Sequence, residues 1–380
     1  MLAPKKHNYL IENQVTLNKK VLFLTLHTFS LTGGIEKVCR SFSKVLKDFC
    51  SEGKIGSYRI LSMYDQQVDL NYTCETSFKG FNANRFNFAF QALKNGIESD
   101  VVILSHINLL IFGWIIKKIS PKKRIILIAH GTEIWIKLNS WKTNFIRKHI
   151  EIIAVSQYTS QKISEVHQVL SSKIKILNNC LDPFFQVPLS FEKPKKLMKR
   201  YNFGKDTQIL FTLGRLSSAE QYKGYDKVIE MLDELPEHIH YLLSGNADDE
   251  EYERLNKLII EKHLQRRVTL TGFIADAEII DHYLLADIFI MPSRGEGFGI
   301  SFIEAAACGR RSITGNNDGS NDAILNGVLG QSVNPNDRSK LKQIIINELK
   351  LTGCDVKGLQ EKCLAAFGYE TYKVNVLEFL

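Results

Sequence analysis

The stretch Ala286-Asp-Ile-Phe-Ile-Met-Pro-Ser-Arg-Gly-Glu-Gly-Phe-Gly-Ile-Ser-Phe-Ile-Glu-Ala-Ala-Ala-Cys-Gly309 reads as strand, glycine loop and helix in that order. Its apolar opening run is short enough for a buried strand, and the alanine-rich close favours a helix. That order aims free backbone N–H groups and the positive end of a helix at a ligand, the geometry of an anion site. Glu296 and Glu304 stand eight positions apart, one among the glycines and one inside the helix. A phosphorylated ligand fits. A plainer reading fits as well: Ser301 followed by Glu304 can form a capping box, the serine capping the helix and the glutamate reaching back to the cap's N–H.

The scheme repeats on both sides of this stretch. Val21–Leu26 is a short apolar strand, and Gly33-Gly34 then opens a helix through Ile35, Val38, Phe42, Val45 and Leu46. Further runs follow at Tyr58–Met63, Val101–Leu104, Arg124–Ala129, Ile152–Val155 and Ile174–Leu177. Pro188–Lys199 is polar and contains proline, so it reads as a connector. A second series has strands at Gln208–Leu213, Ile239–Ser244, Val268–Leu270, Asp287–Met291 and Arg311–Thr314. Strands alternating with helices imply parallel sheets covered on both faces, with ligands at the carboxyl ends of the strands.

The 380 residues allow two domains of roughly 150 to 200 residues each. No apolar run approaches the ~20 residues that cross a bilayer, and Met1–His7 is followed by no apolar segment of the secretory kind. The expected location is cytoplasmic. Seven cysteines, with no Cys-x-x-Cys pair, suit reduced thiols rather than disulfides or zinc. Charge is uneven: residues 1–190 hold 25 Lys and Arg against 13 Asp and Glu, and residues 191–380 hold 24 against 28. Much of the first-half excess lies in 114–148, where Lys117, Lys118, Lys122, Lys123, Arg124, Lys137, Lys142, Arg147 and Lys148 are interleaved with Trp114, Trp135, Trp141 and Phe145. That mixture suits peripheral contact with an anionic membrane at its inner face, and equally a solvated helix face. Nucleic acid is not expected as a partner, since no recognised module for it is present.

Together these pieces resemble retaining glycosyltransferases of family 4 (glycosyltransferase group 1). In the first half the likeness is carried by Gly33–Val38, His130–Glu133, Ala154–Thr159 and Leu177–Asp182. In the second it is carried by Gly214-Arg-Leu216, Tyr222–Asp226, Ser244–Asn246, Thr271–Ile274 and the Glu296–Glu304 block. The resemblance implies an α/β protein of GT-B fold, two doubly wound Rossmann-like domains facing a central cleft. Residues 1–188 would form the acceptor-binding domain, 189–366 the donor-binding domain, and 367–380 a helix crossing back to the first.

The same resemblance assigns roles. Arg215 and Lys223 would hold the diphosphate of a nucleotide sugar, with Ser217–Gln221 an enlarged loop between them. Glu296 would bind hydroxyls of the donor sugar, and the backbone of Gly297, Phe298, Gly299 and Ile300 would meet sugar and phosphates. Glu304 would take the ribose hydroxyls, a suitable task for an ionised carboxylate that only accepts hydrogen bonds. Phe273 and Ile274 would lie against the base, Gly33 and Gly34 would offer helix N–H groups, and His130 would face the donor sugar. Asn179 is read as structural, because Cys180 replaces the usual glycine after it.

The implied reaction is metal-independent and keeps the anomeric configuration: a hexose passes from a nucleotide sugar, expected to be UDP-linked, to a saccharide or lipid-linked saccharide. No cofactor is expected. No Asp-x-Asp occurs in the chain to bridge a metal to the diphosphate. Glu296 and Glu304 would be about 12 Å apart along a continuous helix, beyond the roughly 5 to 9.5 Å of glycosidase carboxylate pairs, which disfavours simple hydrolysis. Two other readings stand beside this one: a soluble transferase making a storage saccharide or small glycoside, and a non-catalytic subunit that binds nucleotide sugar. The four intact residues Arg215, Lys223, Glu296 and Glu304 argue against the last.

Overall fold

The computed structural model describes residues 18–351, 353 and 355–380, so the leader reading at Met1–His7 and the thiol of Cys354 lie outside it. The chain divides into two compact units: residues up to Pro183 together with Tyr369–Leu380, and Phe184–Gly368. The stretch Pro188–Lys199, read as a connector, falls within the second unit, and its end belongs to the helix Lys195–Arg200.

The first unit contains strands β1 (Lys20–Thr25), β2 (Ser57–Ser62), β3 (Phe78–Gly80), β4 (Val101–Leu104), β5 (Arg124–Ala129), β6 (Glu151–Ala154) and β7 (Ile174–Ile176). They form one sheet in the order β3-β2-β1-β4-β5-β6-β7, parallel throughout. Helices cover both faces, so the central strands are buried end to end. Val21 to Leu24 and Val101 to Leu104 are at most 1% exposed. The helix Gly34–Ser51 follows β1 and turns Val38, Cys39, Phe42, Val45, Leu46 and Phe49 inward at helical spacing.

The second unit contains β8 (Gln208–Leu213), β9 (Ile239–Ser244), β10 (Val268–Gly272), β11 (Ile288–Met291), β12 (Arg311–Gly315) and β13 (Gly330–Val333). Their order is β10-β9-β8-β11-β12-β13, again all parallel. The edge strands β3 and β13 are missing from the sequence reading. Each is three or four residues long and carries no continuous apolar run, so no period marks it.

In each sheet the strand order reverses once, between β1 and β4 and between β8 and β11. Loops leaving the carboxyl ends of those strands diverge to opposite sides and open a crevice, the usual ligand seat of doubly wound sheets. The residues that follow β8 and β11 are Gly214-Arg215 and Pro292–Gly299.

Tyr369–Leu380 packs on the first unit. Tyr369 donates to Asp48 Oδ2 at 2.9 Å, Lys373 pairs with Glu52 at 3.1 Å, and Arg124 donates to the Phe379 carbonyl at 3.0 Å. Lys19 donates to the Leu380 main-chain oxygen, and Tyr372 and Val376 are buried.

Candidate functional site

At the second sheet's reversal, two loops meet. The first leaves β8 at Gly214-Arg215 and runs through a short 3-10 segment, Ser218–Lys223, whose backbone departs from helical angles at Glu220. It is held at its ends: Leu216 N–H donates to the Asn246 carbonyl at 2.9 Å, Ser218 N–H to Asp248 at 3.0 Å, and Gln221 to Glu251 at 2.8 Å. The second loop is Pro292–Gly299. Arg294 N–H donates to the Tyr222 carbonyl at 2.8 Å. Gly224, at φ +74°, packs so closely that a Cβ there would lie 2.3 Å from the Pro292 carbonyl oxygen. The two loops are therefore fixed against each other, and only glycine fits the contact.

This arrangement brings Arg215, Lys223 and Glu296 together. Lys223 is 8% exposed and donates to Glu220 Oε2 at 2.6 Å and to the Arg215 carbonyl at 3.2 Å. Arg215 is largely exposed, with Nη1 3.1 Å from Glu220 Oε1. Glu296 is held by its backbone: its N–H donates to Asp318 Oδ2 at 3.0 Å, and its carbonyl accepts from Gly319 at 2.7 Å. Its carboxyl lies deep enough among protein atoms that burial pushes its pKa up to about 7. Lys223 opposes the shift, while Asp318 and Glu220 add to it. Glu296 is thus partly protonated near neutral pH.

Beyond this loop comes the helix Ile300–Ala307. Its cap is Gly299, at φ +88°, with no side-chain cap bond. Ser301 therefore stands inside the helix and the capping box is not formed. Glu304 is buried at 4% and accepts from the Tyr283 hydroxyl at 2.9 Å. Phe298 is 2% exposed and sets its ring 5.5 Å from that of Phe367, so its side chain belongs to the core and only its backbone lines the loop. After β10, Phe273 is 63% exposed whereas Ile274 is buried, so of the pair expected at a base only Phe273 offers a free face.

Two residues of this site escaped the sequence reading. Asp318 is 2% exposed, and its carboxylate accepts from Ser293 Oγ, Glu296 N–H, Ser320 N–H and Ser320 Oγ. The signal was a local one, an aspartate two positions before a serine, the pattern of a side-chain-closed turn. Glu220 lies in the enlarged loop whose length the sequence shows, but its direction depends on the anchors at Asp248, Glu251 and Arg294.

In the first unit, Gly33 caps the helix that starts at Gly34, without a side-chain cap bond, and a Cβ on Gly34 would meet nothing within 4 Å. The preceding loop is gathered by Asp65, which accepts from Thr28 N–H at 2.6 Å, Ser30 N–H at 2.8 Å and Ser62 Oγ at 2.6 Å. Burial opposes ionisation of Asp65, but these donors outweigh it and hold the carboxyl below its usual range. His130 follows β5 and is buried at 9%. Its Nε2 lies 2.8 Å from the Ser105 carbonyl, which can only accept, so Nε2 carries a proton.

Of the basic, tryptophan-bearing stretch, Trp114, Lys117 and Lys118 lie on the helix Leu110–Ile119 and Trp141, Lys142, Phe145, Arg147 and Lys148 on the helix Ser140–His149, whereas Trp135 lies on the short helix Thr132–Trp135. There Trp114 and Trp141 meet edge to face at 6.1 Å beside a cavity of about 370 Å³, lined also by Lys117, Lys118, Phe145 and Lys148. Burial, then the neighbouring lysines, holds the His149 imidazole below its usual pKa. Among the described residues no helix is long and apolar enough to cross a membrane, and the six described cysteines are unpaired.

Residues 194–360 match the family described as Glycosyl transferases group 1. Mannosylfructose-phosphate synthase of Agrobacterium fabrum is 33% identical over 153 residues, 38% of this chain and 33% of that protein. The GDP-mannose-dependent alpha-(1-6)-phosphatidylinositol monomannoside mannosyltransferase of Mycolicibacterium smegmatis is 27% identical over 227 residues, 57% of this chain and 58% of that one. The chain thus spans a third to just over half the length of these relatives. Among solved structures, the Anabaena protein HepE in complex with UDP superposes with a TM-score of 0.78 at 18% identity, over 95% of this chain and 99% of that one. The two parallel sheets are the Rossmann-like domains of that fold.

Proposed function

We propose that the protein is a retaining, metal-independent hexosyltransferase of family 4, a reading supported by the match of residues 194–360 to the glycosyl transferases group 1 and by the GT-B fold. It moves a hexose from a UDP-linked sugar to a saccharide or lipid-linked saccharide in glycan biosynthesis. The observation that carries this reading is that Arg215 and Lys223 stand on a loop bonded to the Glu296 loop through Arg294 N–H and the Tyr222 carbonyl, at the reversal point of the second sheet.

In the proposed reaction the bond from the anomeric carbon to the diphosphate oxygen breaks as the acceptor oxygen bonds to the same face. The acceptor's proton goes to the departing phosphate oxygen. That path needs positive charge and positioning rather than an acid and base pair. Arg215 and Lys223 offset the charge growing on the leaving group, an effect greatest in the transition state. The open N-terminus of the helix Ile300–Ala307, with Gly297 and Gly299 before it, meets phosphates and sugar. Glu296 binds sugar hydroxyls, Glu304 the ribose, and Phe273 the base. For Gly33 and Gly34 the proposed role is to offer helix N–H groups to the diphosphate or the acceptor, and for His130 it is contact with the donor sugar.

The tryptophan pair and its surrounding lysines support contact with the anionic inner face of a membrane, where a lipid-linked acceptor would be met. Salt-sensitive flotation with anionic liposomes tests that part; no binding points to a soluble acceptor. The donor is tested by thermal shift against UDP-, GDP- and ADP-sugars. Stabilisation by UDP-hexoses supports the reading. Stabilisation by GDP-mannose alone moves the donor to the sugar that the Mycolicibacterium smegmatis relative's name carries. No response to any of them removes the reading.

A further inference from the structure

Glu220 occupies an unusual place. Its two carboxylate oxygens face two different cations, Oε1 at 3.1 Å from Arg215 Nη1 and Oε2 at 2.6 Å from Lys223 Nζ. The Glu220 side chain is 20% exposed and that of Lys223 10%, so the pair is shielded from water on most sides. A buried ammonium without a nearby anion is costly, and Glu220 removes that cost. The carboxylate therefore sits where the proposed function places a diphosphate, spanning the same two positive groups.

The bonds that anchor the loop do not use the Glu220 side chain. Ser218, Gln221 and Tyr222 carry the anchors to Asp248, Glu251 and Arg294, whereas the backbone at Glu220 itself departs from helical angles. Among the described residues, the Glu220 carboxylate is held by the two cations and not by the scaffold around them. A diphosphate brings more negative charge and more acceptor oxygens than one carboxylate, so it displaces Glu220 from both partners.

We propose that Glu220 is an internal counter-ion that competes with the donor's diphosphate for Arg215 and Lys223, and so sets how tightly nucleoside diphosphates are held and released. This rests on the reading of those two cations as diphosphate ligands. It makes Glu220 a residue that weakens ground-state binding and speeds departure of the nucleotide product, since the carboxylate returns as the diphosphate leaves. It also opposes occupation of the seat by inorganic phosphate.

The test is calorimetric titration of the full chain with UDP, GDP, ADP and inorganic pyrophosphate, using the wild type, Glu220→Gln and Glu220→Asp. The Glu220→Gln change removes the charge while keeping the size of the side chain, and Glu220→Asp shortens the carboxylate so that it cannot span both cations. The expected result is binding of the preferred nucleoside diphosphate about 5- to 10-fold tighter in Glu220→Gln, with Glu220→Asp between it and the wild type, and slower nucleotide release in stopped flow. Equal or weaker binding in Glu220→Gln, with wild-type affinity measurable, overturns the inference and leaves the function standing. Failure of all three proteins to bind any nucleoside diphosphate overturns both.

Discussion

Asp318 holds Glu296 by the backbone and leaves its side chain to the site: the Glu296 N–H donates to Asp318 Oδ2 at 3.0 Å while Ser293 Oγ donates to the same oxygen at 2.6 Å. One buried carboxylate thereby ties the start and the middle of the loop after β11 to the turn after β12. Replacing Asp318 by Ala strands these donors. We expect a loss of about 2–4 kcal/mol in unfolding free energy, measured by urea denaturation, and donor binding weakened along with it.

Arg215→Ala and Lys223→Ala should each lower kcat/KM for sugar transfer by about 10²- to 10³-fold, the usual loss of one preorganised group facing developing charge. The decrease should fall on kcat as well as KM. Transfer unchanged in both variants would mean that the diphosphate lies elsewhere.

Glu296 gives stability a pH dependence with a definite sign. Its folded pKa, near 7, lies above the value of 4.5 for an ordinary glutamate. The folded state therefore holds the proton more tightly, and the stability this contributes is full below pH 4.5 and lost as pH rises through 7. Glu296→Gln mimics the protonated form. Relative to wild type it should gain on the order of 2 kcal/mol between about pH 5 and pH 8, read from urea unfolding at the two pH values. An unchanged difference would show that Glu296 titrates normally.

Glu304→Gln separates binding from scaffolding. Glutamine keeps an oxygen that can accept from the Tyr283 hydroxyl, so the melting temperature should stay within a few degrees. Nucleotide affinity should fall about 10-fold or more as a charge-assisted bond to the ribose is lost. A large drop in melting with nucleotide affinity preserved would make Glu304 a structural residue.

How far the sequence carries depends on how local each signal is. The long buried strands β1, β5, β8 and β11 announce themselves as apolar runs, and the order of strands and helices gives the parallel architecture. The brief edge strands β3 and β13 leave no such trace. In the candidate site, Arg215, Lys223 and Glu296 stand in short motifs that the sequence shows directly. It does not show the bonds that position them, because Asp318 reaches back from the next strand's loop and Glu220 points inward only through anchors some 30 residues away at Asp248 and Glu251. The capping box at Ser301 misled for a related reason. Its spacing is right, but Gly299 takes the left-handed conformation and starts the helix at Ile300.

The packing of Tyr369–Leu380 on the first unit bears on the order of events at the ribosome. Tyr369, Tyr372, Lys373 and Val376 fill a face built from residues made more than 300 positions earlier, among them Asp48 and Glu52. Until they emerge, the entire second unit having been synthesised first, that face is left uncovered. The first unit is begun before the second and completed after it, so while nascent it waits with exposed apolar surface while its neighbour can already fold.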